Sequence, residues 1–97
     1  MNSTNTDEIF MEGLKEEFME EMVTNLTKMA ALLTENKFEE ISRIAHDIKG
    51  TAGIFEFHEG TEIAKQLQFA AQYEEREKTR KLIDRLKEYM KKNGLDI

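Results

Sequence analysis

The chain contains no cysteine, no proline and no tryptophan among its 97 residues. Without cysteine there is neither a disulfide framework nor a thiolate metal site, a composition that fits the cytoplasm. Without proline, nothing forces a kink inside a helix. No apolar run approaches the roughly 20 residues of a membrane span. The first residues, "MNSTNTDEIF", are polar and acidic, unlike a signal or transit peptide. No segment joins β-branched enrichment to period-two alternation, so strands are not expected. Acids outnumber bases, 20 to 14, for a net charge of −6. That balance argues against nucleic acid or an anionic membrane as the main partner.

The chain is rich in Glu, Lys, Leu, Met and Ala, all good helix formers. The length suits one domain, free-standing or part of a larger protein. Phe10, Leu14, Phe18, Met22, Leu26, Met29 and Leu33 recur at steps of four or three. This predicts an amphipathic helix over about 7–33, with Asp7 or Thr6 as its N-cap and, at Gly13, either a bend or a break that sets off a short extra N-terminal helix. "TENK" is a short polar connector. Phe38, Ile41, Ile44, Ala45, Ile48, Ala52 and Phe55 predict a second helix over about 37–56. "EFHEG" breaks the pattern and holds His58. Ile63, Leu67, Ala70 and Ala71 predict a third helix over 59–73. Leu82, Ile83, Leu86, Tyr89 and Met90 predict a fourth over 76–93, with Gly94 at its C′ position. Short connectors between amphipathic helices favour an all-α, up-down antiparallel four-helix bundle. The six methionines read as core filler.

The informative stretch is "IAHDIKGTAGIFEF", residues 44–57. With Ile41 at zero on a helical wheel, the apolar residues of this helix fall within roughly 60°. His46 falls near 140°, Gly50 near 180° and Gly53 near 120°. The imidazole therefore points away from its own core stripe. Gly50 at i+4 and Gly53 at i+7 replace side chains that would shade it. Each glycine costs about 1 kcal/mol in a helix relative to alanine. Lys49 at i+3 can share a bound anion with the ring, and Thr51 adds a hydroxyl. An exposed imidazole is a competent nucleophile near neutral pH. A cation beside it would stabilise a phosphoryl group on the ring. The glycines then provide clearance for another protein's active site. The bland alternative is a surface histidine beside accidental glycines.

The segment "AHDIKGTAGIFEF" resembles the histidine-containing phosphotransfer (HPt) domain family, including the phosphorylated domain of chemotaxis-type histidine kinases. Upstream, "FMEEMVTNLTKMAALLTENKFEEISRIAH" has that family's rhythm of long helix, polar turn and histidine helix. Downstream, "GTEIAKQLQFAA" resembles its next helix. The resemblance implies a four-helix bundle phosphorylated on His46, a phosphocarrier without catalysis of its own. Lys49 would stabilise the phosphoryl group and Gly50 would give clearance. Gln68 stands where many members carry a glutamine that reaches the histidine or its phosphoryl group. The implied partners are a histidine kinase and a response-regulator receiver domain. The bundle itself needs no cofactor, since Mg²⁺ belongs to the receiver. A cytoplasmic monomer is expected.

Two departures stand out. Many members have glycine ten residues after the histidine, where this chain has Glu56. The wheel puts Glu56 near 60°, on the Lys49 side, where it would pair with Lys49 or meet the receiver. Gly60 sits where leucine is common. The Glu56 departure leaves a second reading open, a phosphotransfer-silent docking module. A carboxylate-bridged di-metal bundle would need Glu-x-x-His pairs, but Arg43 precedes His46 and Phe55 precedes His58 at that spacing.

Overall fold

The computed structural model describes residues 2–97, with side chains from Asp7 onward. Four helices follow in order: α1 (Asn2–Thr34), α2 (Phe38–Ile54), α3 (His58–Gln72) and α4 (Arg76–Lys92). Helix α1 packs on α2 and α4, and α3 packs on α2 and α4. The diagonal pairs do not meet, so the helices stand at the corners of a square. Short connectors make each neighbour antiparallel, the expected up-down bundle.

The apolar stripes meet in the centre. Met22, Met29, Ile41, Ile63, Leu67, Leu86 and Met90 are fully buried. The alanines Ala45, Ala52, Ala64, Ala70 and Ala71 are also buried, so the α2 and α3 backbones can approach closely. Phe18 stacks near Phe55 and Phe57, with centroids 5.4 and 5.8 Å away. Phe57 is buried although it falls in the stretch that breaks the apolar pattern.

The helix ends share one design. At each C-terminus the C″ amide donates to the C3 carbonyl and the C′ amide to the C2 carbonyl, the Schellman arrangement. For α2 these are Phe57 N–H to Ala52 O, 3.0 Å, and Glu56 N–H to Gly53 O, 3.2 Å. The C′ residues are Asn36, Glu56, Glu74 and Gly94, all with positive φ. The C″ residues Lys37, Phe57 and Glu75 are also the N-caps of α2, α3 and α4. One three-residue connector is thus used three times: 35–37, 55–57 and 73–75. Arg76 adds a tie across the bundle, donating to Leu33 O at 2.5 Å and Asn36 Oδ1 at 2.7 Å. Leu33 O also accepts the Asn36 amide at 3.1 Å, so the guanidinium uses the second lone pair of that carbonyl.

Several expectations need correction. Helix α1 begins at Asn2, so neither Asp7 nor Thr6 caps it. It runs through Gly13 without a break, because a helical glycine with open space around it imposes no bend. Phe10 is 65% exposed, since α1 outruns its neighbours at this end. Met11 is exposed for the same reason and is not core filler. Phe55 and Glu56 lie beyond the end of α2. Tyr73 and Asn93 likewise lie just outside α3 and α4, because the left-handed residue stops each helix early. His58 opens α3 and is exposed.

No helix among the described residues is long and apolar enough to cross a membrane.

Candidate functional site

The site is built on α2. Ile41, Ala45, Ile48 and Ala52 turn inward and fix the rotation of the helix. His46 is left exposed, next to buried Ala45 and one turn from buried Ser42. Lys49 is half-buried and Gly50 is exposed. A Cβ built on Gly50 would meet nothing within 4 Å. Its φ is not positive. Neither packing nor backbone conformation therefore requires glycine at this position. A Cβ on Gly53 would sit 3.8 Å from Thr61 Oγ1, an ordinary contact. Packing would admit alanine there too.

Helix α3 supplies the other wall. Gly53 faces Thr61, and the two helices run antiparallel. Seven residues back along α2 lies His46, and seven forward along α3 lies Gln68. The register thus sets the two at one level of the α2–α3 groove. Gln68 is half-buried, and its Oε1 is buried with no hydrogen-bond partner. A buried acceptor without a donor costs about 1–3 kcal/mol. Thr61 already donates its hydroxyl to Phe57 O, 3.1 Å.

Charges near the ring are mixed. Arg43, one turn before His46, pairs with Glu39 at 3.5 Å. Lys49 makes no ion pair with a described carboxylate, so its ammonium is uncommitted. Glu56 does not pair with Lys49 as the wheel suggested, because it occupies the left-handed turn after α2. Helix α4 carries a tightly paired Glu77 and Arg80. There the hydrogen bond and charge of Arg80 hold the Glu77 carboxyl below its ordinary range, and Glu77 raises Arg80 in return.

Thr51 is not part of this constellation. Its hydroxyl donates to Asp47 O at 3.0 Å. It lines a cavity of about 210 Å³ facing Phe18, Glu21, Met22 and Asn25 of α1, on the other flank of α2. The wheel alone separates it from His46 by roughly 140°, a signal available before the fold.

One exposed residue on this face escaped the sequence reading. Ile54 is 65% exposed and lies one turn beyond Gly50 and two beyond His46. The hint was an isoleucine outside the apolar stripe. Gly60 is also clarified. A Cβ there would meet Tyr89 Cε2 at 2.9 Å, so the α4 tyrosine fills the space a larger residue would need.

No group of three or more His, Asp or Glu among the described residues is placed to hold a metal ion.

The family model described as "Hpt domain" matches residues 13–92, which include all of α2, α3 and α4. Comparison with the curated proteins and with the solved structures gives no match.

Proposed function

Because the chain belongs to the Hpt domain family, we propose that it is the histidine phosphotransfer domain of a two-component phosphorelay, phosphorylated on His46. The observation that carries this reading is the exposed imidazole beside Gly50, a glycine that neither φ nor packing demands. A helix that accepts about 1 kcal/mol of lost propensity for empty space is keeping that space open for something else.

The chemistry is a phosphoryl exchange. In the neutral imidazole one ring nitrogen holds a lone pair. That lone pair attacks the phosphorus of a receiver's aspartyl phosphate from the side opposite the leaving oxygen. An N–P bond forms, the O–P bond breaks, and the receiver carboxylate leaves with the bonding pair. The second ring nitrogen keeps its proton. The reverse step returns the group. Positioning and charge neutralisation supply most of the acceleration.

Each residue has a part. Lys49 neutralises the phosphoryl oxygens with its unpaired ammonium. Gly50 lets the receiver's active site close over the ring. Gln68, at the level of His46, has an unpartnered Oε1 to accept the N–H of the ring or an N–H₂ to meet the phosphoryl group. Ile54 gives the receiver an apolar foothold beside the cleared patch. The bundle acts as a carrier, and the Mg²⁺ required for transfer sits on the receiver. The partners in this reading are a histidine kinase and a response-regulator receiver, in the cytoplasm.

The test is incubation with a phosphorylated receiver and Mg²⁺, then mapping of the modified residue by mass spectrometry under conditions that preserve phosphohistidine. Phosphate on His46 supports the reading. Modification elsewhere overturns the site. Docking without any phosphohistidine overturns the carrier role and leaves a silent docking module.

A further inference from the structure

The first turns of α1 stand outside the bundle. Helix α1 has 33 residues, whereas α2 and α4 have 17 each. At about 1.5 Å per residue it spans roughly 50 Å against 25 Å, and the longest dimension of the molecule is 50 Å. Phe18 packs on Phe55 and Phe57 at the end of α2, and Lys15 lies over the Phe57 ring, 5.4 Å from its centroid, so it is the residues before Leu14 that project. The family match begins only at residue 13. Toward this end Phe10 and Leu14 are one turn apart, with Met11 beside them. Phe10 is 65% exposed and Met11 41%. Asp7 falls within this strip, between Leu14 and Met11, Glu17 edges it beside Phe10, and Glu8 and Glu12 lie roughly 60° and 100° beyond Met11. None of the four is ion-paired. The result is an acidic helix end whose Met11 borders a cavity with Phe55 and whose Phe10 stays uncovered.

The α3–α4 face has the opposite character. Gly60 meets Tyr89, which sets the antiparallel register of this pair. Nine residues along α3 from Gly60 is Phe69, at the level of Arg80. Phe69 and Tyr73 are one turn apart, 47% and 75% exposed. They lie roughly 100–140° around α3 from Gln68, away from the α2 groove. On α4, Arg76 marks the α1 side through its bond to Leu33 O, and Tyr89 marks the α3 side. Lys78, Lys81 and Arg85 fall within roughly 80° of Tyr89. None is ion-paired with a described carboxylate, while Arg80 is held by Glu77 and Asp84. Two exposed aromatics are therefore bordered by three free bases. Glu62 lies at the far end, level with Lys87.

We propose that the α1 end, Asp7–Glu17, docks on the α3–α4 face of a second copy of the chain, giving a dimer with two reciprocal contacts. Apolar strip meets aromatic pair, and acids meet bases. Self-pairing of the two α1 ends is disfavoured, because residues 7–17 hold five acids and one base. One short helix contact would fall below the ~1,000 Å² of a stable interface, which is why both are needed. The docked face lies on the far side of α3 from His46. The contact therefore leaves the imidazole open, and its existence does not depend on the phosphotransfer reading.

Sedimentation equilibrium of the full chain tests it, at about 0.05 and 0.5 M salt. The expected result is a concentration-dependent dimer, weakened at least tenfold by the higher salt, since such contacts are screened. Glu8→Lys with Glu12→Lys should abolish it, as should Lys78→Glu with Lys81→Glu. All four changes sit on exposed helix positions, and circular dichroism checks that each variant is folded. Mixing the two variants should restore association, because one of the two contacts then pairs reversed charges. A monomer at every concentration, or a dimer indifferent to both charge reversals, overturns the proposal. Phosphoryl acceptance at His46 should persist in every variant.

Discussion

Glu56 has φ +62° and closes α2 from the left-handed region. For an L-residue with a Cβ that conformation costs roughly 1–2 kcal/mol. Glycine there has no such strain but loses more backbone entropy on folding, about 0.5–1 kcal/mol. The net gain expected for Glu56→Gly is therefore about 0.5–1 kcal/mol. In a domain of this size 1 kcal/mol moves the melting midpoint by roughly 4–8 °C. The midpoint should rise by about 2–8 °C, read by circular dichroism at 222 nm. Glu56→Ala is the discriminating control. It removes the carboxylate but keeps the Cβ, so it should give little of the gain. Glu74, with φ +53°, repeats the geometry at the end of α3. Helix α3 separates the two sites, so Glu56→Gly and Glu74→Gly should be nearly additive. If Glu56→Ala stabilises as much as Glu56→Gly, the gain comes from charge and the argument from φ fails. An unchanged midpoint in the double glycine variant would sink it outright.

Three further outcomes follow from the same structure. His46→Gln should leave the helical signal intact, because the side chain is exposed, while phosphoryl acceptance from a receiver disappears in a mass-mapping assay. Gly50→Gln should stabilise the fold by several tenths of a kcal/mol in urea melts yet slow phosphotransfer in stopped-flow; a variant both steadier and equally fast would remove the clearance argument. Gly60→Ala should cost about 1–3 kcal/mol through overpacking against Tyr89, and Gly60→Ala with Tyr89→Leu should recover part of that loss, a coupling measurable as a double-mutant cycle.

The helices were legible because their apolar residues keep a 3.6-residue period over most of each element. The ends were less so. The wheel carried α2 through Phe55 and Glu56, since neither residue type stops a helix. What stops it is the pair of bonds from Glu56 and Phe57 back to Gly53 and Ala52. Those bonds rest on tertiary burial of Phe57, which no local rule reports. Asn36 and Gly94 show the contrast. Both are residue types that favour the left-handed region, and both mark helix ends in the sequence itself. Phe10 failed for the opposite reason. Its period is correct, but period says which face is apolar and not whether a neighbour is long enough to cover it.

The Glu56 position also changes what the departure from the family pattern means. A glycine ten residues after the histidine is, in this structure, a glycine at C′ of the histidine helix. Glycine there spares the backbone strain of closing the helix. Replacing it with glutamate raises the cost of that turn, and the charge lands in the turn rather than beside Lys49. The effect then belongs to the stability of the turn. Gly50 behaves in the reverse way. Its backbone is helical and its surroundings are empty, so no demand of the fold calls for glycine. Positions 50 and 56, six residues apart, thus carry different physics. At position 56 the backbone asks for glycine and the chain has something else. At position 50 the backbone asks for nothing, and the chain keeps glycine beside the exposed ring.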